Sequence, residues 1–288
     1  MKVLPGVALA LLAVVVLGGS ANGAPRSVPQ FEHVLVIVLE NQSQAQVIGN
    51  RHAPRLNALA KRYAVLSRYS GVAHPSLPNY LALISGSTHG IRNDCTTCVI
   101  AARNLADTLE HAHLDWKAYA EGLPRVGFAG AYAGLYAKKH MPFLHFRNVL
   151  ENPARRKLVV PLGQFSRDVA GGRLPAFSLI VPNLCHDMHS CPVATGDAWL
   201  GHFLSPLLRS SNLARSVVFV ITDETSGPRP DGVVPALALG PLVARGSKYS
   251  VPLSHYGLLR TIEDAWGLPR LGRSARAKPI TGIWRQEG

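Results

Sequence analysis

Three apolar runs in the 288-residue chain each end in residues that can do chemistry. Glu40-Asn41 follows His33–Leu39, and Asp223-Glu224 follows Ser216–Thr222. Pro182-Asn183 and then Cys185-His186-Asp187-Met188-His189 follow Phe177–Val181. Carboxylates, an amide and imidazoles gathered on one rim form the ligand set of a divalent cation, whose identity such mixed oxygen and nitrogen donors leave open. A single acid after a strand also serves as a helix N-cap, so Glu40 or Asp223 alone carries either reading. The adjacent pair Asp223-Glu224 is more pointed, because two like charges repel unless a cation compensates them. Pattern alone does not separate His186, Asp187 and His189.

The nucleophile candidate is Ser76, in Gly71-Val-Ala-His-Pro-Ser-Leu-Pro-Asn-Tyr-Leu81. Its place predicts a helix N-cap, with Pro78 in the first turn and Leu81, Leu83 and Ile84 continuing the apolar face. A helix start offers free N–H groups and the positive end of a dipole, which suits a phosphate. A serine hydroxyl held there beside a divalent cation can be deprotonated and attack phosphorus. The competing reading is an ordinary capping serine. Asn79 serves either a phosphoryl oxygen or a loop carbonyl, and His74 either donates a proton or lines the loop. His255 opens the last helical segment, Ser254-His-Tyr-Gly-Leu-Leu-Arg-Thr-Ile-Glu-Asp264, as a ligand or as a structural imidazole.

These groups need a scaffold that presents strand ends together. The runs 33–39, 177–181 and 216–222 are continuous and rich in β-branched residues, as expected of parallel strands buried on both faces; 234–239 is a weaker example. Helical spacing lies between them, at Leu56, Leu59, Ala60 and Tyr63, at Leu105, Leu109 and Ala112, from Asp197 to Leu208, and from His255 to Trp266. Alternating strands and helices predict an α/β sandwich, which binds ligands beyond the carboxyl ends of its strands. The Gly- and Pro-rich stretch 122–161 reads as a long irregular insertion. With 47% hydrophobic and 16% charged residues, the chain is neither disordered nor collagen-like.

Thirty Lys and Arg against 17 Asp and Glu give a formal charge of +13, which draws in anions such as phosphate esters and acidic lipid surfaces. The basic residues are scattered, without the aromatic-interleaved stripe of a dedicated nucleic-acid binder. Met1-Lys2, the apolar run Val7–Leu17 and Ser20-Ala-Asn-Gly-Ala24 predict an export signal cleaved after Gly23. Residues 24–288 then form the mature, secreted protein, extracellular or periplasmic. Four cysteines in an exported chain suggest two disulfides, with spacing in favour of 95–98 and 185–191 and connectivity left open. A zinc site at Cys95-x-x-Cys98 is the weaker alternative.

The ordered set Glu40-Asn41-Gln-Ser43, His74-Pro-Ser-Leu-Pro-Asn-Tyr80, Asn183 with Asp187-Met-His189, Gly196-Asp197, Asp223-Glu224 and Ser254-His-Tyr256 resembles the bacterial secreted phosphoesterase family. That family holds acid phosphatases, phosphatidylinositol 3-phosphate phosphatases and non-specific phospholipases C. The resemblance runs from about Phe31 to the C-terminus and implies an alkaline-phosphatase-like three-layer sandwich, a mostly parallel central sheet between helices. It implies Glu40, Asn41, Asp223 and Glu224 as metal ligands and Ser76 as nucleophile. It places Asp187, His189 and His255 among phosphate- or metal-binding positions. Many members carry Trp-Asp-Glu-x-Gly-Gly around the last acidic pair, whereas here Thr222 precedes it and Thr225-Ser226-Gly227 follows. The expected function is a metal-dependent phosphomonoesterase of the acid phosphatase type, forming a phosphoserine, with anionic esters including phosphoinositides at a membrane surface as substrates. The alternatives are a phospholipase C-type phosphodiesterase and a secreted basic binding protein without catalysis.

Overall fold

A computed structural model describes residues 1–2, 27–226 and 232–285. The export signal assigned to residues 1–23 lies outside the described residues, apart from the first two. The centre is an eight-stranded sheet. Its strands are β1 (His33–Leu39), β2 (Ala64–Leu66), β3 (Trp116–Ala120), β4 (Val159–Pro161), β5 (Phe177–Val181), β6 (Ser216–Thr222), β7 (Ala236–Leu239) and β8 (Lys248–Tyr249). In space they run β8-β2-β7-β6-β1-β5-β3-β4. Only β7 is antiparallel to its neighbours.

The main helices are α1 (Pro54–Arg62), α2 (Ser76–Ser85), α3 (Leu105–His111), α4 (Gly163–Ala170), α5 (Val193–Leu207) and α6 (His255–Trp266). Successive β1 side chains enter opposite layers. Val34, Val36 and Val38 pack with Leu77, Leu81 and Ile84 of α2, Leu109 of α3 and Leu258 of α6. Leu35, Ile37 and Leu39 pack with Leu56 of α1, Phe165 of α4 and Leu200 and Leu204 of α5. Both faces are therefore dry, which is why β1, β5 and β6 read as unbroken apolar runs. Each such side chain contributes about 1.5–3 kcal/mol relative to exposure. This is the expected alkaline-phosphatase-like sandwich.

Register brings the chemistry together. Val36 lies opposite Leu179 on one side and Phe219 on the other, so the carboxyl ends of β1, β5 and β6 reach the same edge. Beyond that edge the Asp223 amide donates to the Leu39 carbonyl at 3.0 Å, and the Glu40 amide donates to the Asp187 carbonyl at 2.8 Å. Three strand-end segments are thus joined by backbone bonds.

Several elements differ from the sequence reading. β3, sequence Trp-Lys-Ala-Tyr-Ala, has no apolar run, because Lys117 leaves the sheet to meet Asp168 at 2.6 Å. α5 begins at Val193 rather than Asp197. Stretch 122–161 is more ordered than an irregular insertion: it holds a hairpin (Tyr132–Ala133 with Tyr136–Ala137), short helical turns and β4. Both local disulfides are formed, Cys95–Cys98 and Cys185–Cys191, so the first pair closes a loop rather than a zinc site. Among the described residues no helix is long and apolar enough to cross a membrane.

Asp197, one of the residues carrying the resemblance, holds the fold. Its carboxylate is fully buried and accepts from the Leu56 amide at 2.7 Å and the Arg55 amide at 3.2 Å, capping α1 from α5. Gly196 beside it has no room for a side chain, since a Cβ would lie 2.4 Å from Met188 Cγ. Asp197→Ala strands these donors and is expected to cost about 1–3 kcal/mol. Chemical denaturation checks this, with the midpoint expected to fall while the fold is otherwise kept.

Candidate active site

Ser76 is the first residue of α2, and Pro75 occupies the N-cap position. The predicted capping role is therefore not the one its hydroxyl fills. Freed from the helix end, Ser76 Oγ donates toward Glu40 Oε2 at 2.9 Å, with Glu224 Oε1 at 3.3 Å. Ser76 is buried, like Glu40, Asp187, Asp223 and Glu224. The hydroxyl thus sits inside a cluster of acids supplied by three strand ends.

Asn41 stands at the exit of β1 with φ 51°, a left-handed conformation that Asn tolerates better than most residues. Its amide N–H donates to Asp223 Oδ1 at 3.2 Å. Its side-chain oxygen is buried and makes no hydrogen bond, and the same holds for Asp223 Oδ2, for Asp187 Oδ2 and for His140 Nε2, the last two having only longer contacts within the acid cluster. Buried polar atoms are nearly always bonded, so this group of orphans on one rim calls for a ligand. Glu40, His140 and Asp187 each offer one atom within 4.8 Å of the others, a triad able to hold a metal ion. The donors fit a divalent cation: hard carboxylate oxygens, an amide oxygen and imidazole.

The electrostatics agree. Burial, then the neighbouring Asp223 and Asp187, push the Glu40 carboxyl well above its usual range. Burial raises Asp187 to about 8, with Asp223 adding to it. Burial and then Glu224 raise Asp223 to about 7, and burial raises Glu224 to about 7. Without a cation the acids hold protons; with one they hold the cation. Burial, then Lys139 and His189, depress His140, leaving the neutral imidazole that a metal requires.

A pH dependence follows. In the folded ion-free protein Asp187, Asp223 and Glu224 stay protonated up to about pH 7 to 8. In the unfolded chain carboxyls lose their protons near about pH 4. These carboxyls bind more protons in the folded state across that window, so their contribution to ion-free stability falls as pH rises through it. Thermal midpoints in chelator are expected to drop between about pH 6.5 and about pH 8, the range above that in which the buried neutral His140 and His255 act in the opposite sense. Added divalent ion should restore stability most at the alkaline end, because its ligands must be deprotonated.

The remaining candidates occupy different places. Asn79 turns its amide to the loop before α2, accepting from Val72 N–H at 2.8 Å and Ala73 N–H at 3.1 Å and donating to the Ala73 carbonyl at 2.8 Å. Of its two predicted uses, the loop carbonyl is the one seen. His255 is buried, and both ring nitrogens are engaged. Nε2–H donates to the Asp223 carbonyl at 2.7 Å, and the Tyr69 hydroxyl donates to Nδ1 at 2.9 Å. Burial lowers His255 to about 4, so the ring is neutral. His189 lies exposed at the mouth, Nε2 3.4 Å from Lys139 Nζ. His186 faces away and pairs with Glu121 at 2.9 Å. His74 pairs with Glu224.

Four participants escaped the sequence reading. His140 lies 3.4 Å from Glu40 Oε1 and 3.5 Å from Asp187 Oδ2, stacked on the Tyr80 ring. Tyr80 donates its hydroxyl to Glu40 Oε1. Lys139 Nζ meets Asp94 Oδ2 at 2.9 Å, while Asp94 Oδ1 accepts from the Leu77 amide at 2.9 Å. The run Lys138-Lys139-His140 within a Gly- and Pro-rich stretch was the available signal. Tyr80 was visible inside the Ser76 motif but had no assigned role.

A mostly parallel sandwich of this strand order is the alkaline-phosphatase-like fold. Solved structures of this class superpose well. A protein of the alkaline phosphatase superfamily from Vibrio parahaemolyticus matches with TM-score 0.62 at 15% identity, covering 89% of this chain and 72% of that one. The phosphonate monoester hydrolase of Agrobacterium radiobacter matches with TM-score 0.59 at 13% identity, covering 83% and 74%. The Phosphoesterase family profile matches residues 50–269, and the chain belongs to that family of phosphoric ester hydrolases. A phosphatidylinositol-3-phosphatase of Mycobacterium tuberculosis is 38% identical over 262 residues, 91% of this chain and 85% of that protein. A probable acid phosphatase of Kluyveromyces lactis is 30% identical over 84% of this chain, which spans 60% of that longer relative.

Proposed function

We propose that the chain is a secreted, metal-dependent phosphomonoesterase with Ser76 as nucleophile. The observation that carries this reading is Ser76 Oγ at 2.9 Å from Glu40, beside atoms of Asn41, Asp187, Asp223 and His140 that make no hydrogen bond. Glu40, Asn41, Asp223 and Glu224 are the ligands expected from the resemblance, and Asp187 and His140 extend the set. A divalent cation held there supplies positive charge that acidifies the serine hydroxyl and offsets charge on the phosphoryl group.

The protein's own groups do the rest. The Ser76 proton passes to one of the two carboxylates it faces, and Oγ forms a bond to phosphorus as the ester oxygen departs. His189 at the mouth, its imidazole pushed down by burial and then by Lys139, protonates the departing alkoxide when it is itself protonated, in the acidic range. Water then attacks the phosphoserine, releasing inorganic phosphate and regenerating the hydroxyl. His255 acts as a positioning residue: it fixes the Asp223 backbone and touches no reacting atom. Asn79 holds the loop from which Ser76 emerges. The phosphatases among the relatives, one of them named for a phosphoinositide, support a phosphomonoester substrate.

A panel of soluble monoesters and diesters tests the assignment. Monoester kcat/KM is expected to exceed that for matched diesters by at least about 10²-fold, roughly 2.7 kcal/mol of transition-state discrimination. Equal or inverted preference would replace the phosphomonoesterase reading with a phospholipase C-type one.

A further inference from the structure

A cation is built into the rim of the acid cluster. Lys139 follows the hairpin of Tyr132–Ala133 with Tyr136–Ala137, and its side chain is only 9% exposed. Nζ donates to Asp94 Oδ2 at 2.9 Å and lies 3.4 Å from His189 Nε2. Burial works against a charge there, but the bond to Asp94 and its negative charge outweigh it, so the ammonium stays charged. That charge is felt across the site. Burial raises Glu40, Asp187 and Glu224, and Lys139 pulls each of them back.

The same ion pair ties Lys139 to the nucleophile. Asp94 Oδ1 accepts from the Leu77 amide at 2.9 Å, so one carboxylate spans the residue after Ser76 and the Lys139 ammonium. The limb that carries Lys139 is fixed on either side of it. Lys138 Nζ donates to the Thr96 carbonyl at 2.8 Å, inside the Cys95–Cys98 loop, and the His140 ring stacks on Tyr80. Lys139 is thus held between the buried His140 and the exposed His189 at the mouth. An ammonium has three N–H donors and no acceptor. Asp94 takes one and His189 lies within reach of a second, which leaves a donor for a ligand.

A phosphomonoester brings about −1.5 to −2 charge near pH 7, spread over three terminal oxygens. A diester has a single charge, and a second carbon substituent replaces the third terminal oxygen. A divalent cation beside Ser76 together with a fixed ammonium matches the first and overcharges the site for the second. The geometry points to Lys139 as a substrate-binding residue that donates to a terminal phosphoryl oxygen and sets the preference for monoesters over diesters, with Asp94 as the positioning residue that holds it near Ser76. The inference rests on the phosphatase reading above and adds the group that selects the ester class.

The test uses the mature metal-loaded protein, an aryl phosphate and its matched diaryl phosphate, and the variant Lys139→Met, which keeps the apolar stem and removes the charge. Monoester kcat/KM should fall at least about 10²-fold, the loss typical of one donor aimed at developing charge. Diester kcat/KM should fall no more than about fivefold. Lys139→Arg should recover part of the monoester loss. Metal content should stay at wild type, because Lys139 is no ligand and its removal takes a like charge away from the cation. Calorimetric titration with inorganic phosphate gives a readout without turnover: Ser76→Ala/Lys139→Met should bind it at least about tenfold more weakly than Ser76→Ala. Lys139→Met/Asp94→Asn leaves no carboxylate without its cation, and it should show the same unequal losses if the single variant folds poorly. Monoester turnover like wild type, equal losses on both esters, loss of metal, or unchanged phosphate binding each overturns the assignment to Lys139 and leaves the phosphatase reading standing. Wild type that hydrolyses no monoester defeats that reading instead, and the phosphate titration then decides the Lys139 site by itself.

Discussion

Ser76→Ala is expected to lower phosphomonoester turnover by at least about 10³-fold, the loss that follows removal of a covalent route. The substitution deletes one oxygen. That oxygen does not cap α2, because Pro75 holds the N-cap position and the Leu77 amide is satisfied by Asp94 at 2.9 Å. The helix also keeps its buried face of Leu77, Leu81 and Ile84. Fold and metal content should therefore stay close to wild type, as thermal unfolding and metal analysis will show. A variant within tenfold of wild-type turnover would place the nucleophile elsewhere. His255→Gln is a useful contrast, since it disturbs the Asp223 carbonyl without touching Ser76. It should lower metal affinity, and excess divalent ion should recover part of the activity.

Exhaustive chelation should remove turnover, and a divalent ion should restore it. Glu40 and Asp223 are fully buried carboxylates crowded against Asp187, so their negative charges coexist only when a cation is present. Glu40→Gln and Asp223→Asn keep the volume and remove the charge. Each should weaken metal binding at least about 10²-fold, more than the loss typical of a residue that merely orients a ligand. The same variants should raise the stability of the ion-free protein at pH 8, because each removes a carboxyl that resists ionisation there. A purely structural role predicts the reverse. Full activity in protein shown by mass analysis to hold no metal would end the metal assignment.

Much of this was legible from residue types alone. β1, β5 and β6 match the apolar runs 33–39, 177–181 and 216–222 residue for residue, because burial on both faces leaves no polar interruption. Glu40, Asn41, Asp223 and Asp187 were found by looking just past those strands, and the common register explains why that works. Side-chain direction was the part that residue types left open. Ser76, Asn79 and His255 each stand at the predicted point in the chain, yet Asn79 turns to the Val72–Pro75 loop and His255 to a backbone carbonyl. His140 was invisible for a different reason. It reaches the site from an insertion with neither a 2.0 nor a 3.6 period, and only the folded hairpin and its helical turns bring it over Tyr80. β4 and β8 were too short for any pattern to reveal.

Trapping the reaction intermediate gives the most direct test of the site. The mature metal-loaded protein is mixed with a phosphomonoester, quenched in acid within the first turnovers, digested and mapped by mass spectrometry. A phosphoryl group on Ser76, lost on longer incubation without substrate and absent from both Ser76→Ala and chelated protein, is the expected result. Steady hydrolysis with no phosphopeptide containing Ser76, or a phosphoryl group on another side chain that turns over at the catalytic rate, would contradict a serine nucleophile in this acid cluster.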